Sequence, residues 1–433
     1  MPNAAQLAEL AAVFLKLGCI SFGGPVAHLG YFHEEFVRRR RWLDEAHYSD
    51  LVALCNFLPG PASSQTVFAI GRERAGLAGA LVASVAFLLP STVLMILFGY
   101  GFSALGDPTT AGWLHGLKIA AAAVVAQAVW TMVRRLCPDF PRVLLALAAA
   151  ALVFAVPGAY TQIGALAAGL VVGWLWLKPG AGSGERGAGS REWGGGSAER
   201  EVRNTEWPDA TSDAGGANAS SLRTPPSALL SRSHFWAAAA LVAYAVLLVL
   251  LPSLAAGSEA RSFKVFASFY RAGALVFGGG HVVLPLLRAE VVPPGWIGDG
   301  PFLAGYGAAQ ALPGPLFSFA AYLGTVIFAG PHAWLGGLLC LAAIYLPAWL
   351  VIGGALPFWH ALRGQSMARA GFQGANAAVV GILLAALVNP IGTEAIDTWC
   401  DLAAALVALL LLEQWRVPPW AVVVAAAALG GVI

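Results

Sequence analysis

The chain has 433 residues, of which 58% are hydrophobic and 11% charged, and its net charge is +2. Soluble domains carry about 25% charged residues, so this composition excludes a water-covered globule and implies an all-α polytopic membrane protein. The near-neutral balance excludes nucleic acid as a partner. The five cysteines are scattered with no CxxC, the eight histidines form no HExxH, and no GxxxxGK[ST] loop is present. No metal, cofactor, enzymatic activity or ATP-driven pumping is therefore expected. Glu9 stands where a secretory signal would carry basic residues, so no cleavable leader is expected.

In chain order, apolar segments are expected at 5–25, 51–70, 77–102, 112–133, 142–156 and 161–177. Residues 178–234 are rich in Gly, Ser, Glu and Arg without apolar periodicity, and read as a disordered cytoplasmic linker. An extra segment follows at 235–251. A second set lies at 263–285, 302–328, 333–356, 371–388, 400–413 and 417–432. The organisation expected is a transmembrane repeat over 1–177, the linker, one additional helix, and a second repeat over 252–433.

The two sets match residue by residue. At an offset of 255, Phe14, Gly18, Phe22, Gly23, Gly24, Glu35 and Asp44 correspond to Phe269, Gly273, Phe277, Gly278, Gly279, Glu290 and Asp299, and Lys16 corresponds to Arg271. At an offset of 254, Leu58-Pro59-Gly60-Pro61 corresponds to Leu312-Pro313-Gly314-Pro315. Pro90 pairs with Pro347. The loop after the first segment carries Arg38–Arg41, whereas its counterpart "EVVPPGWIGD" has no Lys or Arg. Loop 103–111 has none, whereas 360–370 has Arg363 and Arg369. Basic loops face the cytoplasm, so this sign change predicts repeats of opposite topology, as in many secondary transporters. Segment 51–70 has basic stretches on both sides and contains Pro59-Gly60-Pro61. It is expected to be broken or re-entrant, and 5–25, which ends in Phe22-Gly23-Gly24-Pro25, is open to the same reading.

Candidate site residues follow from this plan. Lys16 and Arg271 lie at matched places inside apolar segments, six residues before an FGG turn. Intramembrane cations are functional candidates by default, and two converging near a pseudo-twofold axis would suit a divalent oxyanion. Snorkelling to the interface is the plainer alternative. Broken helices expose N–H groups that bind anions. The turns at Gly23-Gly24, Pro59-Gly60-Pro61, Gly278-Gly279 and Pro313-Gly314-Pro315 are therefore expected to line the site. Asn56, Ser63, Ser64 and Gln65 would join them from one repeat, and Gln310 and Ser318 from the other. A helix kink with hydroxyls bonded to their own backbone is the competing reading. Glu35 and Glu290 are the candidates for ion coupling, although a loop charge paired with the nearby arginines is favoured for both.

The stretch from Phe14 to Gln65, with "VFGGGHVVLPLL" (276–287) and "QALPGPLFSFAAYLG" (310–324), resembles the chromate ion transporter family in its long, two-domain form. The resemblance implies gradient-driven efflux of chromate, a tetrahedral dianion like sulfate, across the cytoplasmic membrane, and chromate resistance. The FGGP signature falls on Phe22–Pro25, while the second copy has Gly280 in place of the proline. Partners implied are the oxyanion (chromate, with sulfate as its chemical relative) and the lipid bilayer; a homo-oligomer stays open. Within transport the rivals are a sulfate importer and an uncoupled anion channel. A membrane reductase would need a redox centre for which no motif is present.

Overall fold

The computed structural model describes residues 3–105, 112–177, 232–277, 279–359 and 366–430. Gly278 and residues 178–231 of the expected linker lie outside them. All regular structure among the described residues is helical. The helices are α1 Ala4–Ile20, α2 Gly24–His33, α3 Glu45–Phe57, α4 Ala62–Ala104, α5 Gly112–Leu136, α6 Phe140–Ala155, α7 Ala159–Trp176, α8 Arg232–Ala256, α9 Arg261–Ala274, α10 Val283–Val291, α11 Asp299–Ala311, α12 Phe319–Ile327, α13 Ala333–Ala355, α14 Ser366–Ala386, α15 Trp399–Glu413 and α16 Pro419–Gly430. Among the described residues, six stretches are long and apolar enough to cross a bilayer: 62–104, 112–136, 159–176, 234–256, 333–358 and 370–395. The chain is a multi-pass membrane protein.

Local chemistry sets the helix ends. Asn3, Asp44 and Asp139 accept N–H bonds at the starts of α1, α3 and α6, and Thr398 with Asp401 forms a capping box on α15. Glycine turns break the apolar runs. α4 is itself two helices, because Ala75 and Gly76 leave the helical region and Gly76 has φ +62°. The stretches expected as single segments at 263–285 and 302–328 are each two helices, α9/α10 and α11/α12. Their Gly-rich and Pro-Gly-Pro turns interrupt backbone bonding although the side chains stay apolar.

Side-chain contacts fix which helix ends lie together. Arg40 binds Glu9 at 2.7 Å, Gln6 donates to the Arg74 carbonyl at 2.6 Å, and His47 meets Glu73 at 3.0 Å. The starts of α1 and α3 therefore share one end of the molecule with the end of α2 and with Glu73–Arg74 of α4. A 13-residue helix reaches only about 20 Å, short of the ~30 Å hydrocarbon layer. α1 with α2, and α3 with the first part of α4, thus form hairpins whose outer ends lie together, and Arg40 and Arg74 meet there. In the second half Arg288 binds Asp299 at 2.6 and 3.0 Å, and Arg261 lies 5.8 Å over the Phe328 ring. These contacts join the end of α10 to the start of α11 and the start of α9 to the end of α12.

The long helices join the halves. Tyr100 near the end of α4 donates to the Pro331 carbonyl and accepts from the Trp334 N–H ahead of and within the first turn of α13. At the opposite end Arg72 donates to the Gly353 carbonyl of α13. The second part of α4 and α13 therefore run antiparallel. Small residues let helices touch: Gly18 abuts the Phe87 backbone, Gly273 that of Ile344, Gly173 that of Ala370 and Gly116 that of Ala426. The last helices are exchanged. α5 packs on α15 and α16 of the second half, and α14 packs on α6 and α7 of the first. In membranes, cysteines introduced at positions 40 and 73 should label from one side and a cysteine at 295 from the other. Labelling of 40 and 295 from the same side would overturn the opposite orientation expected of the two repeats.

Candidate functional site

The Pro-Gly-Pro turns sit where the halves meet. Each central glycine has left-handed backbone, φ +120° at Gly60 and +98° at Gly314, which a side chain disfavours. The Gly60 N–H donates to the Val276 carbonyl at 2.8 Å, and the Gly314 N–H donates to the Ser21 carbonyl at 2.8 Å. Val276 and Ser21 each immediately precede an FGG turn, so every Pro-Gly-Pro turn is bonded to the FGG turn of the other half. The packing is reciprocal too. A Cβ on Gly60 would lie 3.0 Å from the Ala348 Cβ, and one on Gly314 would lie 2.8 Å from the Ser91 Oγ. Ala348 and Ser91 directly follow Pro347 and Pro90.

Four helix starts point away from these turns without a side-chain cap: α2 after Gly23, α4 after Pro61, the short helix Gly280–Val282 after Gly279, and the short helix Leu316–Ser318 after Pro315. First-turn N–H groups carry partial positive charge and seek an acceptor. Beside Gly24 and Gly279 an added Cβ would meet nothing within 4 Å, so the FGG turns border open space.

Several polar groups are buried nearby: the hydroxyls of Ser64 and Tyr345, Gln310 beside the Tyr306 hydroxyl, and Trp349 Nε1, which has no partner. Ser64 faces Tyr345. The Tyr345 ring packs 6.1 Å from Trp349 and 5.9 Å from Phe317, and Trp349 stacks on Phe68. An unbonded buried polar group costs about 1–3 kcal/mol, so the bare Trp349 N–H beside the Ser64–Tyr345 pair marks a place for an acceptor-rich ligand. Gln65 donates to the Pro59 carbonyl at 2.7 Å, which leaves its Oε1 unbonded. Ser63 and Ser318 are buried at the same turns. Asn56 is exposed and bonds the Val52 carbonyl of its own helix. The N–H groups of Gly60 and Gly314, expected to be free for an anion, are taken by the bonds between the halves.

The matched cations lie beside matched glutamates. Lys16 Nζ is 3.8 Å from Glu35, which also receives Arg39 and Arg40 at 3.2 and 2.6 Å. Arg271 grips Glu290 with two nitrogens, Nε at 2.6 Å, and lies 5.4 Å over the Tyr160 ring. The Lys16 side chain is 50% exposed and that of Arg271 14%. Burial favours the neutral form of Glu35, but the Arg40 hydrogen bond and the charges of Lys16, Arg39 and Arg40 outweigh it and hold the carboxyl below its ordinary range. Each cation is six residues, about 9 Å along its helix, from an FGG turn. Tyr345 and Trp349 are additions that the sequence reading missed; polar aromatics flanking Pro347 inside an apolar span were the available signal.

The sequence model of the family described as "Chromate transporter" matches residues 8–174 and 263–431. The chain belongs to the chromate transporter family. Both halves are matched separately, around the linker and α8. The chain is 25% identical to the probable chromate transport protein of Synechococcus elongatus, over 99% of this chain and 95% of that one. It is 25% identical to the chromate transport protein of Cupriavidus metallidurans, over 99% and 93% of the two chains. With the chromate transport protein of Pseudomonas aeruginosa it shares 26% identity over 90% and 82%. No solved structure matches. This is a family of transporters, not of enzymes, and its substrate is anionic.

Proposed function

We propose that this protein exports chromate from the cytoplasm as a secondary transporter built of two inverted repeats, 1–177 and 252–433, with α8 as the added helix that inverts the second. The observation that carries the reading is the cluster of buried hydroxyl, indole and amide donors (Ser64, Tyr345, Trp349 and, beyond them, Gln310) around uncapped helix starts. A tetrahedral dianion offers acceptors in all directions and would satisfy them. Lys16 and Arg271 supply positive potential from each half, offset in part by Glu35 and Glu290. The reciprocal Gly60 and Gly314 bonds supply a pivot about which the halves rock to alternate access.

The membrane potential favours export over sulfate import. One charge crossing 100 mV is worth about 2.3 kcal/mol, so a dianion leaving an inside-negative cell gains about 4.6 kcal/mol per 100 mV. That sustains a gradient of roughly three orders of magnitude. Radiolabelled chromate uptake into inside-out vesicles tests the reading. Uptake should rise with an imposed lumen-positive potential and fall at least tenfold in Ser64→Ala/Tyr345→Phe with protein level unchanged. Competition by sulfate would measure how far the site separates the two anions. Chromate uptake absent in wild type, or unchanged in the double variant, would sink the proposed site or substrate.

A further inference from the structure

The titratable groups expected to couple ion movement are already engaged. Glu35 is held by three cations and Glu290 by Arg271. One buried titratable group at the junction of the halves remains half-used. His28 lies on α2, five residues after Gly23, with no exposed surface. Its Nε2 is 3.1 Å from the Ser21 carbonyl. A carbonyl can only accept, so Nε2 carries the hydrogen and the neutral ring presents Nδ1 as a bare lone pair. Nδ1 is buried and has no partner, an exception in a native fold that calls for an explanation.

The surroundings sharpen the point. The same Ser21 carbonyl accepts the Gly314 N–H of the other half, so His28 sits on one of the two reciprocal turn bonds between the repeats. The ring stands edge-on to Phe87 of α4 at 5.8 Å and tilted to Phe32 of α2 at 6.4 Å. None of these contacts carries a charge, and Ser21, whose carbonyl the ring binds, has an unpartnered hydroxyl. The matched position in the second half is Val283. His281, although close to the second FGG turn, has its Nδ1 bonded to the Tyr306 hydroxyl at 2.7 Å.

We propose that His28 is a proton-binding site coupled to the anion: its Nδ1 takes a proton from water as the dianion enters and releases it as the dianion leaves. This rests on the dianion-transport reading above. An imidazolium in an apolar cage is unfavourable without a counter-charge. A dianion at the adjoining turns is such a counter-charge, so each ligand favours the other by the same factor. One proton per dianion leaves one net negative charge to cross. The potential then still drives the loaded carrier outward, and a single proton site does not neutralise a dianion for entry.

Calorimetric titration of the purified protein with sodium chromate, in two buffers of different ionisation enthalpy at one pH, counts the protons taken up on binding. Wild type and His281→Asn should take up close to one proton per chromate. His28→Gln, whose amide can still donate to the Ser21 carbonyl, should take up none while binding chromate within about threefold of wild type at alkaline pH. Equal proton uptake in wild type and His28→Gln, or none in wild type, would overturn the assignment. Absence of any binding heat would instead refute the anion reading on which it rests. Should His28→Gln fail to fold, nitrogen-15 histidine resonances of wild type decide: one ring nitrogen must pass from bare to protonated on chromate addition, and an unchanged spectrum overturns the proposal.

Discussion

Alanine in place of Gly314 should cut chromate transport more than tenfold and lower the melting temperature of the purified protein. The methyl group would sit 2.8 Å from the Ser91 Oγ and 2.9 Å from its Cβ, at a backbone angle of +98°. Left-handed backbone costs a side chain about 1–3 kcal/mol, and overpacking a filled contact adds a similar amount. The displacement falls on the bond from Gly314 to Ser21 and on Ser91 beside Pro90 of α4 together. Gly60→Ala, wedged between Gln65 and Ala348, should behave alike. Gly24→Ala is the control: its φ is +79°, but nothing lies within 4 Å of the added carbon. It should lose stability through backbone strain alone. Equal transport by Gly314→Ala and wild type would remove the turn from the mechanism.

Glu290→Gln and Lys16→Ala should differ sharply although they touch matched ion pairs. Removing the Glu290 charge leaves Arg271 largely buried without its bidentate partner, a loss of about 3–5 kcal/mol for a broken buried pair. The variant should be scarce in membranes and melt early, and Arg271→Leu/Glu290→Leu should recover much of the stability. Lys16 is half exposed, and Glu35 keeps Arg39 and Arg40 without it. Its removal should cost less than about 1 kcal/mol. Any transport defect in Lys16→Ala then reports electrostatics rather than folding. Comparable thermal melts for Glu290→Gln and Lys16→Ala would contradict the difference in burial.

The breaks in this fold were legible because Gly and Pro announce them. Pro59-Gly60-Pro61 between two basic stretches already implied a broken or re-entrant segment, and the contact of His47 with Glu73 brings the two ends of that segment together. The second half was harder to read. Residues 263–285 and 302–328 look like continuous apolar spans, since hydrophobicity alone does not register a backbone that turns inside the bilayer. Matching Lys16 with Arg271 located two charges but not their partners. Those partners, Glu35 and Glu290, were visible in the repeat yet fell near loops on a linear reading. Trp349 and His28 were hidden for another reason. Their significance lies in hydrogen bonds they do not make, and only packing in three dimensions shows an idle donor or lone pair.

The bonds from Gly60 to Val276 and from Ser21 to Gly314 also bear on biogenesis. Each links a turn in the first half to residues made much later, so the first pair of hairpins inserts with its central N–H and C=O groups unanswered. At ordinary rates of synthesis this interval lasts roughly tens of seconds, and in hydrocarbon such groups are costly. The early half must wait at the insertion machinery or in a hydrated pocket until its counterpart arrives. Truncation beyond α7 should therefore yield a species that quality-control proteases remove, not a stable half-transporter.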